Sequence, residues 1–341
     1  MSAPRTLRIG TRGSALALWQ ANHVQSLIRA QPGAPLVELV KIRTEGDVRT
    51  DVPLWQVGGR AFFTKEIDKA LLGGEVDLAV HSLKDLSTVL ETGIDLVAAL
   101  KREDPRDALI SRTGQRLEEL PRGARVGTSS LRRRAFLARA RPDVELLELR
   151  GNVPTRIDRL MAGDYDAIIL AAAGLRRLGL EQHITELLSQ EIFPPAVSQG
   201  AIGVCMRTGD AETGRWLAPL DDRASRLATT AERTLLRTIE GGCQVPLGAI
   251  GSLVAGAVAG ADSVAGANSG AGAGPSGEVL RLRAAVCALD GSAMLSAQGE
   301  IPADAANAAT LGRRLAEDLL AQGAAKLISS ERDARRQSGS A

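Results

Sequence analysis

The fold is decided by the segment over residues 127–134, which reads Gly127-Thr128-Ser129-Ser130-Leu131-Arg132-Arg133-Arg134. It joins a short strand, predicted over 125–127, to a helix predicted over 131–140, and its hydroxyl side chains are suited to cap that helix. A helix N-terminus carries partial positive charge and favours acidic residues, yet this first turn holds three arginines. Such a local violation usually marks a functional site. We therefore predict an anion site here; the alternative is that the arginines extend into solvent.

Strands and helices alternate around this segment. The predicted elements are strands over 125–127, 144–149 and 166–171 and helices over 131–140 and 155–161. Alternation of this kind predicts a parallel sheet covered by helices, with ligands bound beyond the carboxyl ends of the strands. The next two strand–helix junctions also present arginines, namely Arg150 with Arg156, and then Arg177. The three junctions together predict one basic cleft for a ligand with several carboxylates or phosphates.

The N-terminal part shows the same alternation. We predict strands over 7–11, 36–43 and 76–80, and helices over 15–29 and 65–72, with Ser14 as the cap of the first helix. The motif His81-Ser82-Leu83-Lys84-Asp85 follows the third strand directly. Lys84 and Asp85 therefore lie where α/β sheets bind ligands, although a solvated turn with an ion pair is an equal alternative. We interpret His81 as a hydrogen-bonded structural histidine.

The chain is predicted to cross twice between two lobes. Strands predicted over 96–100 and 108–111 flank residues 103–107, which we interpret as the first crossing. A turn and strand over 198–204 then returns the chain to the first lobe. Two crossings make a hinge.

The C-terminal part contains the motif Glu240-Gly241-Gly242-Cys243-Gln244-Val245-Pro246 after a helix predicted over 223–239. Glycine ends helices readily, and a helix C-terminus disfavours a thiolate. Cys243 therefore suits one durable covalent bond; the alternative is an inert buried thiol. A strand is predicted over 281–289 and a helix over 308–321. The Gly/Ala-rich residues 251–277 are expected to form a flexible excursion, and residues 331–341 a disordered tail.

Composition narrows the function classes. A chain of 341 residues suggests two or three domains. The cysteines, Cys205, Cys243 and Cys287, form no C-x-x-C pair, so neither a disulfide framework nor a metal site is expected. No signal peptide or membrane span is evident, which predicts a cytoplasmic protein without a membrane partner. Residues 121–160 hold ten arginines against four acidic residues, but Phe136 is their only aromatic residue, which argues against binding single-stranded nucleic acid.

These motifs, in this order, resemble the hydroxymethylbilane synthase (porphobilinogen deaminase) family from about Leu7 to Leu327, apart from the Gly/Ala-rich segment. The matching motifs are Thr11-Arg12 with Ser14-Ala15-Leu16-Ala17, Val80 to Asp85, Asp104-Pro105-Arg106-Asp107-Ala108, Gly127 to Arg133, Leu149-Arg150-Gly151-Asn152-Val153, and Glu240 to Pro246.

The resemblance implies an α/β fold of three domains. Two lobes would resemble type II periplasmic binding proteins, and a smaller C-terminal α/β domain would carry the cofactor cysteine. We predict lobe 1 over 1–102 and 198–219, lobe 2 over 103–197 and the C-terminal domain over 220–330. The resemblance also implies a monomer.

The resemblance further implies the reaction. Four porphobilinogen molecules are joined head to tail, each losing ammonia, on a dipyrromethane cofactor held covalently by Cys243, and water releases linear hydroxymethylbilane. Asp85 would be the catalytic carboxylate. The residues implied to bind the cofactor are Cys243, Lys84, Asp85, Thr128, Ser129, Ser130, Arg132, Arg133, Arg150 and Arg156. The residues implied to bind substrate are Arg12, Ser14, Arg150, Arg156 and Arg177.

Four positions depart from the family pattern. Arg60 and Ala61 replace the usual lysine and glycine of a mobile loop that includes Gly58 and Gly59. Ser87 replaces a usual proline, and Ser198 a usual glycine. These changes bear on loop movement and rate more than on the reaction.

Two rival functions fit parts of the pattern. A two-lobed protein that binds an anionic solute without catalysis would explain the hinge and the cleft. A regulatory or nucleic-acid-binding module would explain the arginines, and would show a steep salt dependence.

Overall fold

The computed structural model describes residues 6–44, 64–239, 245–255 and 277–328. The predictions for Gly58, Gly59, Arg60, Ala61 and Cys243, for most of the Gly/Ala-rich segment and for the tail over 331–341 lie outside the described residues.

Lobe 1 is built on a five-stranded sheet of order β2-β1-β3-β10-β4. Strand β1 is parallel to β2 and β3, whereas β10 is antiparallel to β3 and β4. Alternate residues of the strands fill two cores: Leu7 and Val204 pack on the side of helix α1, and Ala79 and Cys205 on the side of α2. The elements are β1 (Thr6–Thr11), α1 (Ala15–Arg29), β2 (Leu36–Lys41), α2 (Lys65–Leu72), β3 (Leu78–Ser82), β4 (Ile94–Ala99), β10 (Ile202–Arg207) and α6 (Ala211–Leu217).

Lobe 2 has a second five-stranded sheet, of order β7-β6-β8-β5-β9. Its parallel strands β6, β7 and β8 carry the predicted strand–helix junctions, and β5 is antiparallel to β8. Val126 and Phe136 belong to the core on one face, and Ile157 and Ile168 to the core on the other. The elements are β5 (Asp107–Ser111), β6 (Arg125–Gly127), α3 (Leu131–Ala140), β7 (Glu145–Leu147), α4 (Val153–Met161), β8 (Ala167–Ala171), α5 (Ala172–Arg177) and β9 (Glu186–Leu187).

The third domain is an antiparallel sheet of order β11-β12-β13, packed against two helices through one core. Its elements are α7 (Arg223–Thr238), β11 (Leu247–Ala255), β12 (Glu278–Cys287), β13 (Met294–Pro302) and α8 (Ala305–Ala321). The end of β12 also enters the lobe 2 core, where Cys287 Sγ donates to Ala135 O at 3.6 Å. The third domain is thus attached to the helix that carries Arg132 and Arg133.

The α/β fold with two sheet-based lobes and a smaller C-terminal domain is confirmed, and several boundaries agree with the sequence. Helices α1, α2 and α3 and strand β6 have the predicted limits. Helix α4 begins at Val153 rather than at residue 155, because Asn152 is its cap and accepts from Thr155 N. Strand β3 runs to Ser82, so His81 and Ser82 belong to the strand and do not follow it.

One prediction is wrong in part. Residues 251–255, which we expected to open the flexible excursion, belong to β11 and pair with β12 from Gly251↔Leu282 to Ala255↔Glu278. Pairing with a strand that is already anchored in the core overrides the low apolar content of this segment.

The two crossings lie side by side. The first joins β4 to β5 and the second leads from β9 to β10; Glu103 N donates to Gly200 O at 3.1 Å between them. A Cβ atom on Gly200, whose φ is +90°, would lie 2.3 Å from Glu103 O, so only glycine allows this approach.

Candidate functional site

The turn after β3 holds Lys84 and Asp85, of which Asp85 is the predicted catalytic carboxylate. A single 3₁₀ turn covers Leu83–Asp85. Leu83 is buried and its N–H donates to Ala201 O at 3.0 Å, which fixes the backbone of the turn. Lys84 Nζ donates to Gln199 Oε1 at 3.2 Å. Asp85 is exposed. Its carboxylate is therefore accessible to solvent, while the backbone of its turn is fixed by the bond from Leu83 to Ala201.

Lys84 shares its electrostatic environment with residues of lobe 2. Burial lowers the pKa of Lys84 to about 8; Asp85 and Asp107 act to raise this pKa, and Arg133 and Arg132 to lower it. The ammonium is therefore still mostly protonated at neutral pH. Charges from both lobes thus act on one lysine, as a shared cleft requires.

The strand–helix junction at residues 127–134 folds as its sequence predicts. Ser130 caps α3 and accepts from Arg133 N at 3.4 Å. Thr128 N donates to Leu147 O at 2.9 Å, and Ser129 Oγ donates to Leu149 O. These bonds attach the junction to β7 and the loop after it, so the cap hydroxyls lie on a rigid backbone.

Two arginines of the first turn point inward. Arg132 and Arg133 are 3% and 6% exposed, so the alternative that they extend into solvent is wrong. Arg132 Nη1 lies 2.7 Å from Asp107 Oδ2, and Arg133 Nη2 lies 2.8 Å from Asp107 Oδ1. Their part in cofactor binding remains a prediction.

Asp107 is a site residue that the sequence analysis missed. The motif 104–108 was noted, but no role was given to the aspartate that opens β5. Gln199 Nε2 donates to Asp107 Oδ1 at 2.9 Å, and Gln199 Oε1 accepts from Lys84. A polar chain therefore runs from Lys84 in lobe 1 to the arginines of lobe 2. An aspartate at the first position of an otherwise apolar strand was the available signal, because a carboxylate buried there needs a charged or hydrogen-bonding partner.

Arg150 and Arg156 extend the basic surface. Arg156 Nε donates to Gly151 O at 2.7 Å. Burial, together with the charges of Arg133 and Arg150, lowers the pKa of Arg156 to about 10, and the charges of Glu148 and Asp85 oppose this shift. Arg156 therefore lies within electrostatic reach of Asp85 as well as of the other arginines.

Arg12 and Ser14 lie at the end of β1. Ser14 caps α1 and accepts from Ala17 N at 3.3 Å. Burial and, to a smaller extent, the charge of Arg12 lower the pKa of His81 to about 4, so His81 is neutral at pH 7. Its buried Nε2 has no hydrogen-bond partner among the described residues, so that atom does not fit the hydrogen-bonded role predicted for His81.

The hydrogen-bond donors of these arginines fit a cofactor that carries carboxylates. Within the described ranges, Arg132 Nε is buried and has no hydrogen-bond partner, so one guanidinium donor is available to a carboxylate. The same ranges contain no cluster of three metal-ligating side chains. They also contain no helix long and apolar enough to span a membrane.

These features define a class: a two-lobed α/β protein in which arginines of one lobe and an exposed carboxylate of the other lie within electrostatic reach of each other, with a third domain attached. Models of two domains match the chain. Residues 7–215 match the porphobilinogen deaminase dipyrromethane cofactor-binding domain, and residues 226–321 match the porphobilinogen deaminase C-terminal domain.

Curated relatives agree over nearly the whole chain. Porphobilinogen deaminase of Syntrophobacter fumaroxidans is 44% identical over 324 residues, covering 95% of this chain and 97% of the relative. Porphobilinogen deaminase of Trichlorobacter lovleyi is 46% identical over 326 residues, covering 96% of each. The chain belongs to the porphobilinogen deaminase family.

Solved structures show only distant likeness. An ancestral arginine-binding protein bound to arginine has 16% identity and a TM-score of 0.36, with 64% of this chain and 92% of that chain covered. The VFT2 domain of Bordetella pertussis BvgS has 13% identity and a TM-score of 0.37, with 62% and 85% covered. We draw nothing about this chain from likenesses of this size.

Proposed function

We propose that this chain joins four porphobilinogen molecules head to tail, with loss of ammonia from each, and releases linear hydroxymethylbilane by hydrolysis. The observation that carries the proposal is the position of Asp85: an exposed carboxylate on a fixed turn, within electrostatic reach of Lys84 and Arg156. The reaction needs one negative group at the reacting pyrrole and positive groups at its acidic side chains.

Asp85 acts on charge that develops during the reaction. Loss of ammonia from the aminomethyl group leaves an electrophilic azafulvene with positive charge on the pyrrole nitrogen. A carboxylate aimed at that nitrogen stabilises the cation. After the new carbon–carbon bond forms, the attacking pyrrole carbon must lose a proton, which Asp85 can accept.

The arginines bind the acetate and propionate side chains. Each pyrrole brings two carboxylates, so negative charge accumulates as the chain grows, and charge-assisted bidentate bonds are the strong ones. We assign this role to Arg12, Arg150, Arg156 and Arg177, with Ser14 beside Arg12. Lys84, protonated at neutral pH, supplies a further positive charge next to Asp85.

The cofactor, when bound through Cys243, supplies the pyrrole to which the first substrate is joined. We assign its carboxylates to the junction of Thr128, Ser129 and Ser130 with Arg132 and Arg133, together with Lys84, Arg150 and Arg156. Asp107 neutralises part of the charge of Arg132 and Arg133, which keeps two buried guanidinium groups in place before any ligand arrives.

We also propose that the enzyme is a cytoplasmic monomer without nucleic-acid or membrane partners. Light scattering of the purified protein tests the monomer, and a mass of two chains refutes it. For the domain limits, we retain lobe 1 over 1–102 and 198–219, lobe 2 over 103–197 and the C-terminal domain over 220–330.

Turnover and intact mass test the proposal together. The purified chain should release ammonia from porphobilinogen and carry a covalent dipyrromethane that Cys243→Ser lacks. Asp85→Asn should fold normally and lose most turnover, whereas Asp95→Asn, at an exposed carboxylate in β4, should keep it. A bare Cys243 in active wild-type protein, or near-normal turnover in Asp85→Asn, rejects the proposal. Porphobilinogen bound without ammonia release would instead support the solute-binding alternative.

A further inference from the structure

Arg177 reaches across the gap between the lobes. It is the last residue of α5 in lobe 2, and its Nη2 donates to Gly200 O in the second crossing at 2.6 Å. Its guanidinium carbon lies 5.7 Å from the ring centroid of Trp19 on α1 of lobe 1. One arginine is thus held at once by lobe 1 and by the hinge.

The contact with Trp19 leaves the donors of Arg177 available. A guanidinium group is planar and all its N–H bonds lie in that plane, whereas an aromatic ring contacts the face. Within the described ranges, the only hydrogen bond of Arg177 is the one from Nη2 to Gly200 O. The Trp19 ring limits the positions that the guanidinium group can take, the bond to Gly200 O holds Nη2, and Nε and Nη1 remain for a carboxylate.

Trp19 is itself held in place. Its ring stacks on His23, one helical turn further along α1, with centroids 5.2 Å apart and an interplanar angle of 21°. Helices α1 and α5 approach closely beside it, since a Cβ atom on Gly174 would lie 3.6 Å from Leu16 Cδ2. Trp19 is 37% exposed, and its ring is contacted by His23 and by Arg177.

We propose that Trp19 is a positioning residue for substrate binding: it orients the Arg177 guanidinium so that its unused edge meets a substrate carboxylate in the gap. The proposal rests on the function proposed above, because it names the group that Arg177 binds. It adds a residue of lobe 1 to an interaction made by lobe 2, so the affinity of that interaction depends on how the lobes face each other.

Steady-state kinetics with porphobilinogen separates this role from a structural one. Trp19→Leu should raise KM about 3- to 10-fold, the range expected for loss of a partly desolvated cation–π contact. Its kcat should change less than about twofold, since the contact acts on substrate binding and the chemistry is at Asp85. Trp19→Phe, which keeps an aromatic face, should restore most of the affinity. Trp216→Leu is the matched control, because Arg215 lies 4.8 Å over that ring on α6, and its KM should be unchanged.

A double-mutant cycle decides whether Trp19 acts through Arg177. Arg177→Leu should raise KM, and adding Trp19→Leu to it should raise KM no further. Independent, multiplying effects of the two substitutions would overturn the proposal, as would an unchanged KM in Trp19→Leu.

The contact can also be tested without turnover, which keeps this inference distinct from the proposed function. The fluorescence contributed by Trp19, taken as wild type minus Trp19→Phe, should change when Arg177 is replaced by leucine. If wild-type protein turns over but this signal is unaffected by Arg177→Leu, the positioning role is wrong and the proposed function stands. If the signal changes but no ammonia is released, the contact is real and the proposed function fails.

Discussion

Replacing Asp107 by asparagine should destabilise lobe 2, because Arg132 and Arg133 then lose the carboxylate that they share. Asp107 is fully buried, and its carboxylate accepts from Arg133 Nε and Nη2 at 3.0 and 2.8 Å and lies 2.7 Å from Arg132 Nη1. Burial alone would raise the pKa of Asp107, but the charges of Arg132 and Arg133 hold it well below its usual value. The group is therefore a carboxylate at neutral pH, and the substitution removes a full charge.

The expected loss of stability in Asp107→Asn follows from the burial of its ion pairs. Removing one partner of a buried ion pair costs about 3–5 kcal/mol, because the remaining charge stays desolvated. Here two guanidinium groups, with side chains 4% and 7% exposed, lose the same partner, so we expect the upper part of that range. A loss of about 4 kcal/mol lowers the midpoint of thermal unfolding by on the order of 10 °C.

Asp104→Asn is the matched control. Asp104 also contacts two arginines, Arg106 at 2.6 Å and Arg176 at 3.2 Å, but both partners are 38% exposed. Solvent screens such pairs, so this variant should lose only about 0.5–1 kcal/mol. Urea and thermal unfolding of both variants beside wild type give the comparison. Equal losses in the two variants, or a loss below about 1 kcal/mol in Asp107→Asn, would refute the reasoning from burial.

Three further predictions concern other parts of the chain. Ser198 is fully buried at φ +61°, so Ser198→Gly should stabilise by about 1 kcal/mol in urea unfolding; Ser198→Ala, which keeps the strained backbone, should gain less. Burial raises the pKa of Asp68 to about 6, helped by Glu91 and Glu66, so its folded pKa exceeds its unfolded value near 3.8. The contribution of Asp68 to the free energy of unfolding is therefore fully present below about pH 4 and is lost as the pH rises through about 6. After discounting for solvent screening, Asp68→Asn should stabilise the protein by about 1–2 kcal/mol at pH 8 and by nothing at pH 4. Arg233 donates to Leu86 O at 3.0 Å and Ser87 O at 2.5 Å beside the Asp85 turn, so Arg233→Leu should lower kcat about tenfold while intact mass shows the cofactor retained; an unchanged kcat would contradict this.

Elements with local signals were predictable from the sequence. Ser14 and Ser130 each cap a helix with their own side chain, so a serine before an apolar pattern was enough to place α1 and α3. Strand β13 gave no such signal, because its exposed and half-buried residues alternate over Met294–Pro302 without a strong β-former pattern. It forms because its backbone hydrogen-bonds to β12. Such pairing depends on both strands and cannot be predicted from the sequence of one of them alone.

The candidate site was predictable in composition but not in geometry. Arginine at three strand–helix junctions indicated a basic cleft, and the fold does place those junctions along one sheet. The inward direction of Arg132 and Arg133 depends on Asp107, and the contact of Lys84 with lobe 2 depends on Gln199, which lies 115 residues further along the chain. Charge partners at such separations follow only from the assembled fold.

The third domain is bonded to both crossings between the lobes through a single residue of α7. Glu232 on α7 is fully buried, and its Oε1 accepts from Arg102 Nη1 at 2.5 Å and from Gly251 N at 2.7 Å. Its Oε2 accepts from Ser198 N at 2.6 Å. One carboxylate of the third domain thus binds both crossings between the lobes.

A rotation of lobe 2 about these crossings must therefore carry α7 with it or break a charge-assisted bond to a buried carboxylate, which costs several kcal/mol. The first course costs less, so lobe movement and α7 should be coupled. Helix α7 ends at Thr238, shortly before Cys243 in the sequence, and Arg233 on the same helix holds the backbone beside Asp85. The helix that precedes Cys243 in the sequence is thus bonded both to the crossings between the lobes and to the turn that carries Asp85, so a movement of one lobe against the other acts on both through one element.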